Sequence, residues 1–214
     1  MASEPIRDPV KDQLITSQNS VFIVIDYQPV QVNSIASMDR QLLVNNIVGA
    51  SKAAVAYGLP IVHSTVNVKT GINKPPIPQL RKVLDKFPTY DRTTINAWED
   101  VEFRKAVEAT GRKKLIITAL WTEACLTFPT LDALKEGYEV YVVADAIGGT
   151  SVAAHEMALR RVEQAGAKMI SVVQLFCELQ RDWQRQKSVP DFLNLFIETG
   201  GTAGLQFASD VSKD

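Results

Sequence analysis

Cysteine and histidine are scarce in this chain of 214 residues: two of each, Cys125, Cys177, His63 and His155. Two cysteines make no disulfide framework, and the polar, acidic stretch from Met1 to Pro9 has no apolar signal-peptide core. Both thiols are therefore expected to be reduced, in a cytoplasmic protein. Long apolar runs are missing too, none reaching the roughly 18 residues that span a bilayer. Neither sign of charge dominates: 23 basic and 24 acidic side chains leave a formal net charge of −1. That balance gives no electrostatic reason to expect nucleic acid or an anionic membrane as partner. His63 has no Asp-x-His pattern or second histidine at ligand spacing, so no metal and no cofactor is expected. Internal repeats and low-complexity stretches are absent as well.

What is present is an ordinary core-forming composition, 46% hydrophobic and 22% charged. β-Branched apolar runs at Ser20 to Tyr27, Leu59 to Val66, Leu115 to Ile117, Tyr138 to Ala144 and Lys168 to Val173 read as strands covered on both faces. Helical spacing fills the intervals at 39–57, 99–111, 127–136, 151–165 and 174–186, with Gly58, Gly111, Gly137 and Gly166 as stops. Residues 67–91, rich in proline, read as an irregular excursion with one short helix. Such alternation predicts an α/β fold, a three-layer α/β/α domain around a mostly parallel five- or six-stranded sheet. Residues 1–18 read as a surface arm and 19–188 as the domain. The remaining tail, 189–214, carries Phe192, Leu193, Leu195, Phe196 and Ile197, and is expected to pack on a neighbouring subunit.

Three residues near strand ends carry the chemistry. Asp26 closes an apolar strand, where an unpaired buried carboxylate is costly; it either faces a cleft with a partner or caps the next loop. Cys125 follows the run Leu115-Ile116-Ile117 and the turn Ala119-Leu120-Trp121, with Thr122 as a helix N-cap. In a first helical turn the peptide dipoles would lower a thiol pKa, although most free cysteines are simply small buried hydrophobes. Arg92 lies where the excursion re-enters the domain and suits the role of a fixed cation, its pKa being too high for proton transfer. An acid, a thiol and a cation at one sheet edge form a nucleophile and base pair without histidine, and the Trp121 and Cys125 amides are natural oxyanion donors. Asp145 falls on the same edge. His63 reads as a satisfied core histidine and His155 as solvent-facing without a role.

The chain resembles the isochorismatase-like cysteine hydrolases, in particular their YcaC-type subgroup. The residues that carry the likeness are Ile25-Asp26-Tyr27-Gln28, Arg92 with Ile95-Asn96-Ala97-Trp98, Thr122-Glu123-Ala124-Cys125, and Gly137-Tyr138-Glu139-Val140 running to Asp145. The resemblance implies a catalytic triad of Asp26, Arg92 and Cys125, with Arg92 where lysine is more usual. It also implies a covalent acyl-thioenzyme and a cis Leu120–Trp121 peptide that presents the Trp121 amide. Gln28, Asn96, Trp98 and Phe128 are then pocket candidates. The expected activity is metal-independent hydrolysis of a C–N bond in a small amide, ureide or imide. The alternatives are an ester or enol-ether hydrolase, or an idle ligand-binding or scaffolding oligomer, the last prompted by Trp121 crowding a position usually small. A homo-oligomer of four to eight subunits is implied, with a small molecule as the other partner.

Overall fold

Every residue of Ser20–Ile25, strand β1, is buried, as an all-apolar run requires when helices cover both faces of its sheet. In this computed structural model, which describes residues 7–211, five more strands join it. They are β2 (Ile61–Val66), β3 (Thr89–Arg92), β4 (Lys114–Ala119), β5 (Glu139–Val143) and β6 (Lys168–Ile170). All neighbours pair in parallel, in the order β3-β2-β1-β4-β5-β6. The helices are α1 (Pro29–Asn33), α2 (Arg40–Ala56), α3 (Pro78–Leu84), α4 (Val101–Ala109), α5 (Thr127–Lys135), α6 (Val152–Gln164), α7 (Val172–Gln180), α8 (Val189–Thr199) and α9 (Gly201–Val211). No helix among the described residues is long and apolar enough to cross a membrane.

The period-two alternation of the strands divides the core in two. Phe22, Val24 and Ile116 pack with Leu43 and Ile47 of α2 and Leu175 and Phe176 of α7. On the other face Ile23, Ile25 and Ile117 pack with Phe103 and Val107 of α4 and Val162 of α6. Side-chain caps start several helices, Asp39 for α2, Asp100 for α4 and Ser151 for α6. The chain builds outward from β1 to β3, then returns to place β4 on the other side of β1. That reversal makes the carboxyl ends of β1 and β4 the topological switch point, the place where open α/β sheets take their ligands.

Three expectations change. The excursion is not wholly irregular: Thr89–Arg92 forms edge strand β3, whose short polar sequence, Thr-Tyr-Asp-Arg, carries no apolar alternation. The arm is no loose leader over its described part, residues 7–18. Ile15 is fully buried, and the buried Lys114 ammonium donates to the carbonyls of Asp12, Gln13 and Leu14. The described part of the tail packs on its own domain through α8. Phe192, Leu195 and Phe196 of α8 join the core beneath α2 and α7, and Lys52 of α2 pairs with Glu198 at 2.6 Å. Gly49 lets the helices close, since a Cβ there would stand 2.5 Å from Thr199 Oγ1. Leu205 of α9 remains exposed.

His63 lies inside β2 against Thr89, with Nδ1 3.4 Å from its hydroxyl and Nε2 buried without a partner. It is a core histidine, but only half satisfied. Burial pushes its pKa down to about 4, against a weaker upward pull from Asp85. Below the ordinary value near 6.5 the unfolded chain takes up a proton that the folded chain refuses, so this contribution to stability is lost as pH falls from about 6.5 to about 4. Between pH 7 and pH 5 the loss is about 2 kcal/mol. Urea unfolding of wild type and His63→Leu at both pH values should show the variant losing that much less; equal losses would contradict a neutral core imidazole.

Candidate active site

Asp26 follows directly on β1 and occupies the left-handed region, φ 63°. Aspartate tolerates that region better than most residues, and non-glycine residues held there cluster at functional sites. Its amide donates to Ser64 O at the end of β2. Arg92, the last residue of β3, reaches across that strand end and grips the carboxylate with two bonds, Nη1 to Oδ1 at 2.8 Å and Nη2 to Oδ2 at 2.7 Å. Both side chains are wholly removed from water. Nη1 also donates to Ser64 Oγ and Thr65 O, and Nη2 to Ile95 O, while Nε is buried without a partner. A bidentate guanidinium with these added acceptors is the geometry that makes a buried ion pair tolerable.

The nucleophile candidate sits beside this pair. After β4 the Leu120–Trp121 peptide is cis, and Thr122–Leu126 winds as a single π-helical turn before α5 begins. The turn closes with Leu126 N–H donating to Trp121 O at 3.2 Å. Single π turns are frequent at functional sites. Thr122 is not the side-chain N-cap that the sequence suggested: the cap position falls on Trp121 and has no side-chain bond. Cys125 is buried, 7% exposed, among Ala97, Trp98, Ala119 and Leu126.

Its acidity runs opposite to expectation. Burial first, then the charge and hydrogen bond of Asp26, push the thiol up to about 12, outweighing Arg92 and the Trp121 backbone N–H that favour the thiolate. A helix terminus contributes only about 0.3–1 kcal/mol at exposed sites, which cannot offset desolvation here. Burial and the Asp26 carboxylate thus favour the thiol form, while Arg92 and the Trp121 N–H favour the thiolate.

The other candidates divide. Gln28 is buried, and its amide is used up on the excursion, accepting from Val66 N–H and donating to Val66 O and Lys74 O. Asn96 accepts from Trp98 N–H and donates to Asp132 at 2.7 Å. Trp98 bonds Glu136 through Nε1 and stacks edge-on to Tyr138. These three brace loops rather than offering free polar groups, whereas Phe128 is half-buried in the first turn of α5. Asp145 is scaffold: its carboxylate accepts from Val172 N–H at the start of α7, and burial raises its pKa. The Trp121 indole is tied by Nε1 to Ser34 Oγ after α1, at 2.7 Å, and packs with the α2-side core, away from the apolar cluster that holds Cys125. His155 was misplaced by the helical count. It is half-buried, with Nδ1 2.8 Å from Thr122 Oγ1. Among the described residues no group of three or more His, Cys, Asp or Glu is placed to hold a metal ion. A cleft of about 530 Å³ lined by Arg7, Asp12, Tyr57 and Arg181 lies near the arm, apart from Cys125.

Residues 20–174 match the Isochorismatase domain family. The chain belongs to the isochorismatase family. It is 32% identical over 191 residues to Probable hydrolase YcaC of Escherichia coli, covering 85% of this chain and 91% of that protein. The crystal structure of the E. coli YcaC product, an octameric hydrolase of unknown specificity, superposes with a TM-score of 0.87 at 29% identity over 99% of this chain and 100% of that one. YcaC from Pseudomonas aeruginosa, solved with hexane-2,5-diol and covalent acrylamide, gives 0.85 at 29% identity over 94% and 96%. This isochorismatase-family member is thus a hydrolase by family, of the YcaC-type branch.

The Asp26–Cys125 geometry can be checked directly. Asp26→Asn removes the charge that holds the thiol proton and leaves Arg92 in place, so the thiol should titrate lower. A fall of one unit means tenfold more thiolate at any pH below the midpoint. Thiolate ultraviolet absorbance against pH should show the shift, and Arg92→Gln should move the midpoint the other way. An unmoved midpoint in Asp26→Asn would remove Asp26 as the proton's holder.

Proposed function

We propose that this protein is a metal-independent cysteine hydrolase that opens a C–N bond in a small amide, ureide or imide. The observation that carries the reading is the water-free Asp26–Arg92 pair, with Cys125 buried close enough for both charges to act on its thiol. Cys125 Sγ attacks the carbonyl carbon while its proton passes to Asp26, so no free thiolate is needed beforehand. The oxyanion that forms is met by the backbone N–H groups of Trp121 and Cys125. Asp26 returns the proton to the departing nitrogen as the C–N bond breaks, leaving a thioester. A water molecule, deprotonated by Asp26, then attacks the thioester, releasing the acid and restoring the thiol. Arg92 moves no proton; it fixes both carboxylate oxygens and balances their charge.

The P. aeruginosa relative was solved with covalent acrylamide, which supports a nucleophile accessible to a small neutral amide in this branch. By likeness to the octameric E. coli protein, the working form is a homo-oligomer of four to eight copies. A cytoplasmic location suits a site that depends on a reduced thiol.

Turnover of a panel of small amides, ureides and imides against esters and vinyl ethers tests the bond class. Cys125→Ala and Asp26→Asn should each lower kcat on the best amide by about four orders of magnitude or more, as removal of a nucleophile or its base does elsewhere. Amide turnover that survives in Cys125→Ala, or cleavage confined to esters and vinyl ethers, would overturn the assignment.

A further inference from the structure

The turn that carries Cys125 is held largely from outside itself. A π turn closes wider rings than an α-helix and is seldom found alone without support. Its first residue, Thr122, is wholly buried, and each polar group on it has a partner. The N–H donates to Gly148 O at 2.9 Å, the C=O accepts from the Thr127 hydroxyl at 2.6 Å, and Oγ1 meets His155 Nδ1 at 2.8 Å. The neighbouring Glu123 accepts from the N–H and hydroxyl of Thr150, at 3.0 and 2.6 Å. Gly149 is packed so closely that a Cβ there would stand 2.7 Å from Glu123 Oε2 and 3.0 Å from His155 Cβ. The base of α6 is thereby pressed against the turn, and Ser151 fixes that base by capping Ala154 N–H.

We infer that His155 is a positioning residue for the reaction: through Thr122 it sets where the Trp121 N–H and Cys125 Sγ stand against Asp26. The inference rests on Cys125 being the nucleophile. Its physical basis is that His155 is the partner of a buried hydroxyl at the hinge between β4 and the π turn. Without the imidazole, a buried threonine hydroxyl turns to another partner, since a buried polar group left unpaired is unfavourable. Threonine has two accessible χ1 states in helical backbone, one of which back-bonds to a carbonyl of the preceding turn. Either rearrangement shifts the turn that carries the sulfur. A displacement of about 1 Å is enough to slow a reaction by about a hundredfold.

The probe is acrylamide, a neutral amide to which a thiol adds across the C=C bond, sulfur joining the terminal carbon and the thiol proton ending on the carbon next to the carbonyl. Peptide mass spectrometry follows adduct formation at Cys125, with the exposed Cys177 as internal reference. His155→Leu and Thr122→Val should each slow the Cys125 adduct by about tenfold or more, with Cys177 unchanged. The double variant should be no slower than the singles, because both remove one interaction. His155→Asn, whose amide reaches the place of Nδ1, should restore most of the rate. Should His155→Leu fail to fold, Thr122→Val, which keeps the buried volume, is compared with His155→Asn instead. Unchanged rates in the single variants, losses that multiply in the double, or His155→Asn as slow as His155→Leu would each overturn the inference. Wild type that forms the adduct at Cys177 and never at Cys125 would instead defeat the nucleophile reading, and this inference with it.

Discussion

A carboxylate and a guanidinium with no exposure to water sit where the ends of β1 and β3 converge, and the arrangement around them follows from keeping that pair matched. Removing one partner of a buried ion pair costs about 3–5 kcal/mol, because the other is left as an uncompensated charge. Asp26 and Arg92 belong to strands that are not neighbours, so β2 has to end in polar groups that can lie beneath the bond. Ser64 Oγ and Thr65 O do this, accepting from Nη1. Asp91, next to Arg92, accepts from the Thr65 hydroxyl and from the amides of Val68 and Lys69, which holds the start of the excursion against edge strand β3. The short polar strand is thus built around its last side chain more than around a core.

The same pair decides how the thiol works. A nucleophile poised as thiolate would need the cation to outweigh both burial and the carboxylate, and at Cys125 it does not. Arg92 holds both oxygens of Asp26, which fixes the orientation of the carboxylate. A lysine here would offer a point charge; arginine offers a planar fork that fixes both oxygens.

Support for the nucleophile turn comes from the loop between β5 and α6, on the far side of β4 from the ion pair. Gly148, Thr150 and His155 act on Thr122 and Glu123, while the segment after α1 reaches the same loop through Ala36 and Ser37. The site therefore depends on elements from nearly the whole length of the domain. This suits the coverage of the likeness to the two YcaC structures, 99% and 94% of the chain.

Sequence by itself determined the strands that are apolar throughout, the helices with Gly stops, the parallel layering, and the place of Asp26 and Cys125 beyond strand ends on one sheet edge, because burial on both sheet faces leaves direct marks in composition and spacing. Tertiary structure decided the rest. Strand β3 exists through pairing with β2 and an ion pair, neither of which leaves an apolar pattern. The α8 side chains were legible as apolar, but whether they met a neighbour or α2 depended on Gly49 allowing the approach. Gln28, Asn96 and Trp98 looked like free polar and aromatic groups until their loop partners were in place, and His155 looked solvent-facing because a helical wheel carries no knowledge of the π turn opposite. The direction of the Cys125 pKa shift followed the same logic: a dipole can be read from a helix start, but desolvation and a neighbouring carboxylate are sums over atoms brought together only by the fold.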